Sequence, residues 1–294
     1  MPSPLSLDEL DAHRRTLDTT AGPVSCLDLG TGPATLFVHG VGTSALLWRH
    51  VVAALAPERR CVAIDLPLHG HTPAAPGQDL GLAALAEVVE AFCAAADLGP
   101  LDVVAHDTGG AVTQVFAATH PERLRSLCLT NCDTHDNIPP EAFRPTVELA
   151  AAGALAEMAP ALLADLGAAR DAVFAMGYQD PTRLPLEVVG RFLEPVVGTT
   201  ERARQFEQLL VGLGPDDLLA VEADLARLAV PTRIVWAAAD DFFELSWAYW
   251  LDELIAGSTG VEEIAGAKLF FPDERADDLV AALRRHWSAV PALG

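Results

Sequence analysis

Seven short runs of β-branched and apolar residues, at 24–29, 35–39, 61–65, 101–105, 124–130, 232–237 and 260–264, alternate along this chain with segments of helical length. Runs that are apolar throughout belong inside a sheet. Strand and helix in alternation bring successive strands back parallel, with helices on both faces. The expected class is α/β, with a mostly parallel, doubly wound sheet. Helices are expected from about Thr43, Leu80, Gly109, Leu245 and Asp273. Residues 137–229, between the fifth run and the sixth, are rich in Ala and Leu at helical spacing and punctuated by prolines and glycines. They read as a helical insertion, dividing the chain into a first core part (1–136), a helical cap (137–229) and a second core part (230–294). A cap over the carboxyl ends of the strands shields a site from water and shapes its pocket.

Size and charge narrow the partners. The 294 residues, 51% hydrophobic, suffice for one large domain or a core with an inserted subdomain. Acidic residues outnumber basic ones 41 to 19, for a net charge of -22. Nucleic acid and anionic membranes would be repelled, so a small-molecule substrate is the expected partner, with oligomeric state left open. Five cysteines, an odd number without CxxC spacing, read as buried reduced thiols and point to the cytoplasm. The first thirteen residues carry acids and no apolar signal core. The apolar stretch 149–169 is broken by Glu157, Pro160 and Asp165, too often for a membrane span.

The run Val104-Ala105-His106-Asp107-Thr108-Gly109-Gly110 joins a strand-like stretch to a helix-like one. A turn this tight needs small residues two before and two after its apex, and Ala105 and Gly109 supply them. The apex of such an elbow is usually serine; here it is Asp107. A carboxylate attacks saturated carbon, as in an epoxide or alkyl halide, more usefully than an ester carbonyl. The plainer alternative is an aspartate that merely caps a helix.

The order strand, His39-Gly40-Val41-Gly42, helix, strand, Asp65-Leu66-Pro67-Leu68-His69-Gly70, helix, strand, elbow, cap and then Trp236 to Asp240 resembles the α/β-hydrolase superfamily over nearly the whole chain. The elbow resembles its aspartate-nucleophile branch, which contains epoxide hydrolases and haloalkane and haloacetate dehalogenases. The resemblance implies an anion hole from the backbone N–H groups of Val41 and Thr108. It implies an acid after the strand that follows the cap, where Asp240 fits and Asp241 is its rival; Asp240 as a cap of the helix near Glu244 is the alternative. Hydrolytic members carry a histidine after the last strand, but residues 266–275 contain none, and no histidine lies between His135 and His286. Lys268, the only lysine, sits near that slot as a replacement base or as an ion-pair partner of Asp240 or Asp107. His135, where the core hands over to the cap, is the histidine placed to meet a ligand. His39 and His106 flank the anion hole and the elbow as framework residues, with His39 also a substrate-contact candidate. His69 and His71 are expected to be structural or exposed, and His286 to be solvated. Tyr178, Phe174 and Trp247 are the further substrate-contact candidates, within an apolar lining drawn from Phe143, Leu163, Met176, Phe192 and Phe206.

Haloalkane dehalogenases place Asn after the HG pair and Trp after the nucleophile to hold halide; these positions are Val41 and Thr108 here. Haloacetate dehalogenases place an arginine beside the nucleophile, and Thr108 and Ala111 offer none. Epoxide hydrolases protonate the opening oxygen with cap tyrosines, of which this cap has Tyr178, with Tyr249 on the helix after Asp240. Three readings follow. The first is an epoxide-hydrolase-like enzyme for a small apolar substrate, with an Asp nucleophile and a non-standard or missing base. The second is a non-hydrolytic cyclase, isomerase or lyase of specialised metabolism using Asp107 as general acid or base, and the third a catalytically silent ligand-binding protein. None calls for a metal or cofactor.

Overall fold

The computed structural model describes residues 5–290. Eight strands form one sheet: β1 (Arg14–Thr19), β2 (Gly22–Leu29), β3 (Ala34–Val38), β4 (Arg60–Ile64), β5 (Leu101–His106), β6 (Leu124–Thr130), β7 (Thr232–Ala237) and β8 (Ser258–Ile264). Their order is β1-β2-β4-β3-β5-β6-β7-β8. The six strands from β4 to β8 run parallel, while β2 lies antiparallel to β4 and to β1. Seven of the strands fall where the apolar runs lie. The one not expected is β1, Arg-Arg-Thr-Leu-Asp-Thr, because an edge strand needs little apolar surface and leaves no hydrophobic run to read. All six residues of central β5 are buried, as a strand covered by helices on both faces requires.

Helices α1 (Leu7–Asp11), α2 (Arg49–Leu55), α3 (Leu82–Ala95) and α4 (Thr108–Thr119) belong to the first part of the core. Between β6 and β7 come α5 (Arg144–Ala151), α6 (Ala154–Ala164), α7 (Leu166–Ala169), α8 (Leu186–Val197), α9 (Thr200–Gly212) and α10 (Asp216–Leu225), the expected helical insertion. In α8, Val188, Val189, Phe192, Leu193, Val196 and Val197 fall on one helical face, and all are buried. Helices α11 (Leu245–Leu254), α12 (Phe271–Glu274) and α13 (Ala276–Ala289) follow among the described residues. His286 lies on the inner face of α13, only 4% exposed, and burial pushes its pKa down to about 4. The expected solvated position is corrected: with Leu279, Leu283 and Trp287 on the same face, His286 packs inward as a neutral ring. All five cysteines are buried and free. Among the described residues, no single helix is long and apolar enough to cross a membrane.

Candidate active site

The parallel strands β5, β6 and β7 all end on the same side of the sheet, and each delivers one acid there. Asp107 stands between β5 and α4 with φ 55° and ψ −136°, a backbone conformation that costs a non-glycine residue about 1–3 kcal/mol. The elbow is held by main-chain bonds: the Asp107 N–H donates to the Asn131 carbonyl (2.8 Å), and the Gly110 N–H donates to the Asp107 carbonyl (2.8 Å). Close packing explains its glycines. A methyl at Gly109 would run into the His39 carbonyl, and one at Gly40 into the Asp107 carboxylate. Asp107 heads α4, yet its side chain makes no capping hydrogen bond, so the cap alternative is not what this carboxylate does.

Asp133 follows β6 and is 1% exposed. Its Oδ2 accepts from the Thr108 hydroxyl (2.9 Å). Asp240 follows β7; its Oδ2 accepts from the Asn131 side-chain amide (2.7 Å) and its Oδ1 from the Phe242 N–H (2.9 Å). Asn131 Oδ1 in turn accepts from the Ala237 N–H, so this residue ties the elbow, through its main-chain carbonyl, to the end of β7, through its side chain. Elsewhere in the molecule three buried aspartates meet arginine: Asp65 pairs with Arg14, Asp102 with Arg59 and Arg125, and Asp273 with Arg49. Among the described residues, no cation pairs with Asp107, Asp133 or Asp240. Burial, then the charges of Asp133 and Asp240, push the Asp107 carboxyl well above the usual carboxylate range. Burial likewise raises Asp133 and Asp240, each to about 7.

Asp107 and Asp133 open into one narrow cavity of about 30 Å³, room for a water or two. Val41, Thr108, Phe242, Phe243 and Leu269 line it from the core, Pro139 and Pro140 from the approach to the cap, and Phe143 and Leu213 from the cap itself. The wall is apolar except at the two carboxylates and Thr108, which suits a small apolar guest.

Val41 and Thr108 line the cavity together with Asp107. Asp240 stands close enough to influence Asp107 but is held by Asn131 and the loop rather than lining the cavity. The other candidates turn elsewhere. Lys268 is not brought to Asp107 or Asp240: its ammonium pairs with Asp241 (2.7 Å) and donates to the Met176 carbonyl (3.3 Å), where a half-exposed cation stays hydrated. Leu269, one residue on, takes the place at the cavity wall. His135 is also corrected. It sits at a turn with φ 54°, bonds Glu222 of α10 through Nδ1 (2.7 Å) and packs beside Trp250 (5.0 Å). Trp247 belongs to that same cluster, 6.2 Å from the His135 ring. His39 does not line the Asp107 cavity: fully buried, it accepts the Leu66 N–H at Nε2 (2.9 Å) and donates from Nδ1 to the Gly40 carbonyl (2.7 Å). His106, bonded to Thr130, and His69, which accepts the Gly42 N–H, are framework residues as expected. Tyr178 donates to Asp273 (2.9 Å) at a separate cavity beside Arg49 and His50, and Phe174 packs between Phe192 and Phe270. Sequence reasoning passed over Asp133 and Asn131; the only signal for them was their place directly after β6.

A family model described as the alpha/beta hydrolase fold matches residues 33–273, most of the chain. The chain belongs to the α/β-hydrolase family. An uncharacterized protein of Mycobacterium tuberculosis is 25% identical over 258 residues, 78% of this chain and 68% of its own length. A haloalkane dehalogenase of Mesorhizobium japonicum is 32% identical over 127 residues, covering 43% of this chain and 40% of that one. A pimeloyl-[acyl-carrier protein] methyl ester esterase of Aeromonas hydrophila is 36% identical over 104 residues, 35% of this chain and 39% of that one. Among solved structures, haloalkane dehalogenase DbeA from Bradyrhizobium elkani superposes with TM-score 0.77 at 18% identity, covering 94% of this chain and 99% of its own. These α/β-hydrolase relatives thus carry different chemistries on one scaffold, and the likeness to DbeA is one of fold.

Proposed function

We propose that this protein is a hydrolase of small apolar organic substrates, epoxides above all, in which Asp107 attacks saturated carbon. The observation that carries this reading is the elbow carboxylate itself: strained into position, used by no helix cap, paired with no cation among the described residues and facing a mostly apolar cavity. Attack would join a carboxylate oxygen to carbon and open the ring, leaving an ester on Asp107; water would then cleave that ester. Charge on the carbonyl oxygen of the ester during cleavage would fall to the N–H groups of Val41, in the loop after β3, and of Thr108, at the N-terminus of α4. The dehalogenase alternative is weaker here, since no Asn, Trp or Arg stands in the cavity wall to receive a halide.

The test uses intact-protein mass spectrometry after mixing with styrene oxide. Wild-type protein is expected to carry a transient adduct on Asp107 and to release the diol, while Asp107→Asn gives neither. Undiminished turnover by Asp107→Asn would remove the carboxylate from the chemistry.

A second reading rests on the raised pKa of Asp107. A neutral carboxylic acid in a dry pocket donates protons, which suits a cyclase, isomerase or lyase. Rearranged product without an adduct, and without oxygen from heavy-oxygen water, would favour it over hydrolysis.

A further inference from the structure

Asp133 is the second acid in the cavity wall, and neither the elbow nor the loop after β7 accounts for it. Its Oδ2 is satisfied by the Thr108 hydroxyl, but Oδ1 is buried with no hydrogen-bond partner among the described residues. Its main chain is pinned as well, since the Gln114 amide donates to the Asp133 carbonyl (2.8 Å). A buried oxygen left open is costly, and is kept where a guest or a proton completes it. The charged groups bearing on the site are Asp107 and Asp240, both acids, and Asp240 is spent on Asn131 and the Phe242 N–H. Two carboxyls on one cavity wall, with no cation beside them among the described residues, hold one proton between them, and the reactive form is the one with that proton on Asp133 and Asp107 ionised.

Resting on the reading of Asp107 as nucleophile, we infer that Asp133 is the proton carrier of this site: its Oδ1 gives a proton to the oxygen of the opening epoxide and recovers one from the hydrolytic water. In the first step an Asp107 oxygen bonds to carbon, the carbon–oxygen bond of the ring breaks, and the released oxygen takes the Asp133 proton. In the second, Asp133 accepts a proton from water as the hydroxide oxygen bonds to the Asp107 carbonyl carbon. The acyl carbon–oxygen bond then breaks, and the departing alkoxide takes that proton. Asp107, left as the acid, returns its proton to Asp133. The products are one diol and the starting pair, so neither histidine nor tyrosine is needed.

Asp133→Asn keeps an acceptor for Thr108 but carries no transferable proton, and two probes separate the steps. Benzyl bromide needs no proton to alkylate Asp107, whereas styrene oxide does. In Asp133→Asn, benzyl bromide is expected to alkylate Asp107 at near wild-type rate and to leave a lasting ester. Alkylation by styrene oxide should fall about 100-fold. Equal slowing with both probes would make Asp133 merely structural, and wild-type turnover would remove it from the chemistry; either overturns the inference while leaving Asp107 as nucleophile. Asp133→Glu is expected to restore part of the epoxide rate, and failure to do so while the benzyl ester still forms and turns over also overturns it. Undiminished styrene oxide turnover by Asp107→Asn would instead fell the underlying reading, and this inference with it.

Discussion

At Asp107 the backbone accepts a left-handed conformation that an aspartate adopts only under constraint, and the constraint comes from neighbours with no side chain to spare. Gly109 is the tightest, with the His39 carbonyl filling the space a methyl would take. A main-chain obstacle cannot rotate away. Gly109→Ala is expected to lower stability by about 1–3 kcal/mol and to shift the elbow; an unchanged urea midpoint would show slack that the packing does not suggest. The same residue-scale logic sorts the histidines. His39, His69 and His106 are tied to backbone or hydroxyl partners, and burial pushes their pKa values down to about 4, 3 and 3. They remain neutral and structural at physiological pH.

Among the elements, the cap is fastened to the core by polar contacts around the rim of the site. Tyr178 donates to Asp273, which Arg49 also holds, and the Gln179 and Asp180 N–H groups donate to Glu274. Lys268 reaches Asp241 and the Met176 carbonyl, and His135 meets Glu222 on the other side. These contacts hold residues 176–180 against the core. Tyr178→Phe leaves a buried carboxylate short of one donor, a loss of about 1–3 kcal/mol. Faster amide hydrogen exchange is expected around residues 175–180, ahead of any change in the sheet; exchange rates like those of wild type would show that this bond does not hold the cap.

Across the whole molecule, charge and burial oppose each other. The chain carries a net charge of -22, and three uncompensated acids are gathered at one end of the sheet. A group whose pKa is raised on folding binds more protons folded than unfolded. Its contribution is therefore favourable at low pH and is lost as pH rises from the ordinary carboxylate range through about 7 for Asp133 and Asp240. Asp133→Asn removes one such penalty. Its melting temperature is expected to exceed that of wild type near pH 8, by roughly 2–4 °C for each kcal/mol relieved. The excess should shrink near pH 4, where the wild-type group is already protonated. An identical gain at both values would mean that Asp133 is not ionised in the folded protein. Stability given up in this way is the usual mark of a site kept for chemistry.

Seven of eight strands, the inserted helices and the elbow were legible in the sequence because hydrophobic periodicity and the need for small residues at a tight turn act locally. Asp107 could be picked out for the same reason. The partners of that carboxylate could not. Lys268 and His135 stood in plausible places along the chain, yet side-chain direction is set by packing, which sent one to Asp241 and the other to Glu222. Asp133 looked like one polar residue among several after β6, and only the parallel alignment of β5 with β6 set it beside Asp107 in the same cavity. The sequence by itself determined the scaffold and its reactive apex. Which acids share the apex's surroundings, and that no cation among the described residues joins them, was decided by tertiary structure, since it depends on strand order across the sheet rather than on spacing along the chain.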